Sequence, residues 1–226
     1  MRVTKILIIT CVLVGLWSFA GAAAMAAPSP FQPGVSYVSV TPDDSTTVAP
    51  GKIEVIEFFW YGCPHCYAFD PYVEAWLKHK PANVVFKRIP IAMDWGEHMN
   101  VDGHAFYAAQ ALGLEPKIHV PLFNAIHKDR QLALVSDQDA LQQFFAKYGV
   151  TKQQFNGAWN SFAVNLKMNR AKALEQHYGV DSVPTVIIDG KWKTGAVYKA
   201  HGQYMEPAEL IKCVEMLVQK AEHQKH

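Results

Sequence analysis

Ile53-Glu54-Val55-Ile56-Glu57-Phe58-Phe59-Trp60-Tyr61-Gly62-Cys63-Pro64-His65-Cys66 is the stretch whose reading decides the fold. Ile53 to Tyr61 is nearly continuous in apolar and aromatic residues, the pattern of a central strand covered on both faces. Beyond it, Cys66, Phe69, Val73, Trp76 and Leu77 recur at helical spacing and fall on one face of a helix over about 66–80. Two cysteines separated by two residues thus stand between a strand and a helix. That setting favours a small disulfide ring, because the free N–H groups and dipole of a helix N-terminus stabilise a thiolate.

The two thiols are inequivalent in this reading. Cys63 sits at the start of the helix, where its sulfur meets solvent and unpaired N–H groups, and Cys66 looks inward. Cys63 therefore attacks and Cys66 resolves. Pro64 and His65 control the redox balance, since a positive charge or hydrogen bond from His65 favours the thiolate and makes the disulfide a stronger oxidant. A zinc knuckle is the competing reading, but it needs a second Cys/His pair at ligand spacing, and only Cys213 remains downstream. A purely structural bridge is the other, although so short a ring closes little chain entropy. No metal and no cofactor beyond the disulfide itself are expected.

The first residues carry the expected address. Arg2 and Lys5 precede an apolar run from Ile6 to Phe19, and Ala24-Met25-Ala26 has the small-x-small form of a cleavage site. Residues 1–26 read as a signal peptide cleaved after Ala26; an uncleaved membrane anchor is the alternative, but the apolar run is short for a span of ~20 residues. Cys11 leaves with the signal, and Ile8-Ile9-Thr10 before it lacks the small residues of a lipidation site. Three cysteines then face an oxidising compartment, one pair and one leftover, which is not a disulfide scaffold. The chain of 226 residues is half hydrophobic with a formal charge of +1, too balanced to suggest nucleic acid or an anionic membrane surface as partner.

Residues 27–50 read as a Pro- and Ala-rich lead-in, a short strand over 35–40 and a polar loop. The first αβ segment, 51–96, includes a second strand from Val84 to Ile89, ended by Pro90. Residues 97–178 read as helices: His104 to Leu112 ending at Gly113, one started by Ser136 with Asp139 in a capping-box position, and one opened by Thr151 and Gln154 that runs, with a break near Gly157, to Gly179. Residues 179–226 return to strands, with Asp189-Gly190 signalling a type I′ hairpin, and end in a helix from Pro207 to Ala221. The fold class is α/β with a helical insertion. Cys213, at the margin of the last helix's apolar face, reads as a small buried thiol. The histidines show no ligand spacing and read as surface residues, and Trp60 and Tyr61 are the aromatics expected to meet substrate.

On these residues the chain resembles the bacterial periplasmic thiol:disulfide interchange proteins of the DsbA family. The likeness rests on Glu57-Phe58-Phe59 with Cys63-Pro64-His65-Cys66-Tyr67, on Val120-Pro121-Leu122-Phe123, on Ala158-Trp159-Asn160-Ser161-Phe162 and on Val183-Pro184, and it spans about 35–220. It implies a thioredoxin fold with an inserted helical subdomain. It implies a monomeric oxidase that donates its disulfide to reduced, unfolded exported proteins and is reoxidised by a quinone-linked inner-membrane partner. Substrate would bind beside the dithiol, with Pro184 in cis and the backbone of Val183 pairing with an extended peptide. Glu57 corresponds to the family's buried acid, which relays the proton for Cys66; burial of its carboxylate should raise its pKa. Lys87 corresponds to the acid's basic neighbour, with the alternative that it is a solvated strand lysine and Arg88 equally faces inward. Two other functions fit less well. A disulfide isomerase or reductase would carry a dimerisation domain, for which 27–50 is too short, and by resemblance Thr in place of Val183. A periplasmic peptide-binding chaperone would make the disulfide incidental.

Overall fold

The computed structural model describes residues 29–41, 48–92, 101–197 and 204–225. The expected signal peptide, most of the polar loop, and His98 and His201 lie outside them. Residues 31–226 make one compact unit. Its strands are β1 (Val38–Ser39), β2 (Ile53–Phe59), β3 (Val84–Pro90), β4 (Thr185–Ile188) and β5 (Trp192–Gly195). They form a sheet in the order β1-β5-β4-β2-β3. β2 runs parallel to β3 and antiparallel to β4. β2 is buried along its whole length, as its unbroken apolar run requires.

Helix α1 (Pro64–Leu77) follows β2, and α2 (Val101–Ala111), α3 (Glu115–His127), α4 (Gln138–Ala146), α5 (Lys152–Trp159) and α6 (Phe162–Tyr178) lie between β3 and β4 in the chain. Helix α7 (Pro207–Lys225) closes it. Two apolar cores result. Ile53 and Val55 of β2 pack with Phe69, Val73 and Trp76 of α1 and with Leu210, Val214 and Leu217 of α7. Ile56 and Phe58 pack with the helices between β3 and β4, and Cys63 and Cys66 belong to this second cluster.

Several local expectations shift by a residue or more, each for a physical reason. Pro90 does not end β3 but is its last residue, opposite Phe59; β3 is an edge strand, where the missing N–H of proline costs no ladder bond. Asp137, not Ser136, caps α4, its carboxylate accepting from the N–H groups of Asp139 and Ala140. The break between α5 and α6 falls at Asn160-Ser161 rather than Gly157, because Ser161 caps α6 by accepting from the N–H of Val164. The short N-terminal strand shrinks to Val38–Ser39. Thr151 and Gln154 form the expected reciprocal cap, and Asp189 and Gly190 both take positive φ, 52° and 63°, as a type I′ turn demands.

Candidate active site

Cys63 is the N-cap of α1, in extended backbone, and Pro64 occupies the first helical position, where no N–H is needed. The amide of Cys63 closes a turn onto the Trp60 carbonyl at 3.0 Å, and its own carbonyl accepts the first helical bond from Tyr67 at 3.0 Å. Both thiols are free, and they differ sharply. Cys63 is 7% exposed at the rim of a surface formed by exposed Pro64 and His65, whereas Cys66, one turn further along, is 0% exposed.

Their acidities diverge accordingly. The Cys66 thiol donating to its sulfur, the backbone N–H groups of Cys66 and His65, and the positive charge of His65 bring Cys63 down to about 6, against the opposing effect of partial burial. Burial pushes Cys66 well above the ordinary thiol range, and the neighbouring Cys63 and the carboxyl of Glu57 push in the same direction. At neutral pH the outer sulfur is mostly thiolate and the inner one is a thiol. His65 is stacked on Tyr204, ring centroids 4.8 Å apart and planes within 15°.

Val183-Pro184 is a cis peptide, and the Val183 carbonyl lies 3.4 Å from the Cys63 sulfur, which donates to it as a thiol. Pro184 is buried and Val183 half-buried. Gly195 of β5 supports this loop from behind: a Cβ there would stand 2.6 Å from the Pro184 carbonyl oxygen. Gly195→Ala is therefore expected to push the loop off its seat, costing about 1–3 kcal/mol of stability. Denaturant titration and the glutathione redox equilibrium should move together in this variant; an unchanged pair of midpoints would show that the loop has slack.

Below the dithiol lies a buried polar cluster. Glu57 is 2% exposed. Register places it opposite Arg88 on the parallel neighbour strand, and the Arg88 Nε donates to Glu57 Oε2 at 3.2 Å. The Arg88 Nη2 donates to Asp70 at 3.1 Å and to Glu74 at 2.8 Å, both on α1. Desolvation raises the Glu57 carboxyl to about 7, with Arg88 opposing and Asp70 adding to the rise. The basic neighbour of Glu57 is thus Arg88, and the expectation for Lys87 is corrected: Lys87 pairs with Glu54 on the other face of the sheet. In strands two residues long in period, adjacent side chains point to opposite faces, so only one of the two cations can reach the acid.

The cluster extends to residues that the sequence reading missed. Asp70 Oδ1 lies 3.1 Å from Nε2 of His119, and His119 Nδ1 lies 2.8 Å from the Tyr61 hydroxyl. His119 is on α3 and buried, not on the surface, and Tyr61 is buried beneath the dithiol rather than facing substrate. His127, two turns along α3, reaches the Tyr61 carbonyl at 2.7 Å and stacks on Tyr67. The spacing of His119, Phe123 and His127 puts all three on one broad helix face, the one signal that could have flagged them. Asp102, in the first turn of α2, is a further buried carboxyl; burial raises its pKa, while the N–H groups of Gly103, Gly62 and Tyr61 oppose the rise. Cys213 on α7 is fully buried, its sulfur 3.6 Å from the Thr194 hydroxyl, and burial lifts its thiol to about 11. Among the described residues no three His, Cys, Asp or Glu side chains gather as a metal site would require.

A strand–dithiol–helix unit, a cis-proline loop against the outer sulfur and a buried acid under the inner one make the comparison with known proteins direct. A DSBA-like thioredoxin domain is matched over residues 54–202. The chain belongs to the DsbA-like thioredoxin family. It is 42% identical over 187 residues to the thiol:disulfide interchange protein DsbA of Burkholderia cepacia, covering 81% of this chain and 85% of that protein. It is 37% identical over 214 residues to the DsbA of Pseudomonas aeruginosa PAO1, covering 95% of both. The crystal structure of Pseudomonas aeruginosa DsbA superposes with a TM-score of 0.73 at 36% identity, covering 86% of this chain and 96% of that one. The oxidoreductase DsbA of Xylella fastidiosa gives 0.73 at 27% identity, covering 83% and 96%. The protein is a thiol:disulfide oxidoreductase of this family, with the thioredoxin-like DsbA fold.

Proposed function

We propose that the chain is a periplasmic dithiol oxidase that donates the Cys63–Cys66 disulfide to newly exported, unfolded proteins. A substrate thiolate attacks the Cys63 sulfur, the Cys63–Cys66 bond breaks, and Cys66 leaves with the bonding pair. Glu57, holding a proton, protonates the buried leaving thiolate. A second substrate thiolate then attacks the substrate sulfur of the mixed disulfide and expels Cys63. The substrate is oxidised by two electrons and the enzyme ends as the dithiol, to be reoxidised by a quinone-linked protein of the inner membrane. In reverse, Cys66 resolves the mixed disulfide.

The observation that carries this reading is the asymmetry of the pair: Cys63 held down to about 6 at the surface and Cys66 raised in the interior. A leaving thiol of low pKa departs fast and stabilises the reduced enzyme, which makes the disulfide oxidising. Val183 and Pro184 beside the Cys63 sulfur are suited to hold an extended peptide by its backbone. Arg2, Lys5 and the apolar run to Phe19 support export. The test is oxidative folding: the oxidised protein should introduce disulfides into a reduced, unfolded substrate, and Cys63→Ser should abolish this. Activity surviving in that variant would sink the proposal, and a reduction potential near that of thioredoxin would favour a reductase instead.

A further inference from the structure

Three carboxyls converge on one guanidinium in this site. Glu74 is partly exposed and keeps its water, but the side chains of Glu57 and Asp70 are 3% and 5% exposed. Ionising both would leave excess negative charge in a low-dielectric interior, so one buried proton is retained until the pH passes about 7. Which carboxyl holds it depends on donors. Glu57 accepts one hydrogen bond from Arg88, and Asp70 accepts one from Arg88 and a second from His119.

The donor at His119 follows from its two contacts taken together, with Tyr61 and with Asp70. The phenol is buried, and burial raises its pKa well above the ordinary range, so it remains an O–H. Of the two tautomers, the one in which Nδ1 accepts from the phenol O–H puts the proton on Nε2, which then donates to Asp70. The reverse tautomer would set an unprotonated Nε2 against the Asp70 carboxylate. Facing this chain are Asp70 and Glu74 from α1, Arg88 from β3, Glu115 from α3 itself, Asp102 from α2 and, at Glu57, Cys66. Among them Arg88 is the one fixed cation, and it is shared.

We propose that His119 is a positioning residue that assigns the buried proton of this cluster to Glu57, the carboxyl beside Cys66, by giving Asp70 a second hydrogen-bond donor that Glu57 lacks. Helix α3 thereby sets the proton inventory of the dithiol from outside the strand–dithiol–helix unit. The use of that proton rests on the reading of Glu57 as the relay for Cys66; its location does not.

The experiment is a site-resolved carboxyl NMR titration of the reduced protein. In the wild type, Glu57 should be the later of the two carboxyls to ionise, near neutrality. In His119→Leu the Asp70 midpoint should rise by about one unit or more, tenfold in its proton equilibrium, and the Glu57 midpoint should fall. His119→Gln, which keeps an N–H donor, should restore the wild-type order. Tyr61→Phe should move both midpoints in the direction of the leucine variant, and it serves in its place if His119→Leu does not fold. Unchanged midpoints in these variants overturn the proposal, as does loss of the wild-type order in His119→Gln. The pH profile of disulfide donation gives the separate readout: its limb near pH 7 should move to lower pH by about one unit in His119→Leu. Full activity of Glu57→Gln with shifted midpoints in His119→Leu would remove the relay and leave the proton assignment standing.

Discussion

Replacing Cys66 by serine should leave a protein that enters a mixed disulfide and does not leave it. When reduced wild-type protein meets glutathione disulfide, the adduct on Cys63 is expelled by a thiol held one helical turn away. An oriented internal nucleophile acts at an effective concentration that can reach roughly 10⁵ M or more. External thiol at millimolar concentration is a poor substitute, so the lifetime of the adduct should lengthen by at least about 10³-fold. Two facts make the outcome one-sided. Cys66 is sealed from solvent, so in the wild type too the incoming disulfide meets Cys63 alone, and both proteins start from the same adduct. Cys63 is mostly thiolate at neutral pH, so the adduct forms at the wild-type rate or near it. Mass spectrometry of the quenched mixture reads both quantities. A transient adduct in the serine variant would mean that another thiol, Cys213 being the candidate, reaches the site.

The second large effect is expected at Glu57, and it has opposite signs for stability and activity. The folded-state pKa of about 7 lies above the ordinary 4.5, so the folded protein binds this proton more tightly than the unfolded chain does. The stability contributed by that proton is complete below pH 4.5 and is lost as pH rises through 7. At about 1.4 kcal/mol per unit, the wild type loses on the order of 3 kcal/mol across this window relative to a variant without the titration. Glu57→Gln keeps an acceptor for Arg88 and carries no charge. Denaturant unfolding of the reduced proteins should therefore give a difference between variant and wild type that grows in favour of the variant from pH 4.5 to pH 8. If Glu57 is the proposed relay, the same change removes the acid for the Cys66 leaving thiolate. Disulfide donation should slow by roughly 10²-fold or more at neutral pH. A pH-independent stability difference would place the proton elsewhere than Glu57.

Much of this site can be read from the sequence because its parts are local. The apolar run of β2, the spacing of Cys66, Phe69, Val73 and Trp76, and the cysteines at the junction report their own secondary structure. Glu57 within that run signals a buried charge by its company alone. What the sequence does not carry is pairing across elements. Whether Lys87 or Arg88 meets Glu57 depends on the register of β2 against β3. In a strand covered on both faces there is no polar–apolar alternation to show which way each residue points. His119 and Asp70 are hidden for a related reason. A lone histidine on an amphipathic helix and an aspartate in the first turns of another are ordinary residues until the helices pack and bring them within 3.1 Å. Tyr204 stacks on His65 from a stretch with no motif of its own.

Cys213 has a consequence for how long such an enzyme can work. A protein built to carry a disulfide that other thiols readily break is exposed to its own spare sulfur. One internal attack by Cys213 would rearrange the bond into a dead-end isomer. Full burial, which lifts the thiol to about 11 against the opposing hydrogen bond from Thr194, guards against this. At pH 7 only about one molecule in 10⁴ holds that sulfur as the reactive anion. Cys213 is thereby held as the unreactive thiol, and turnover need not end in self-inactivation.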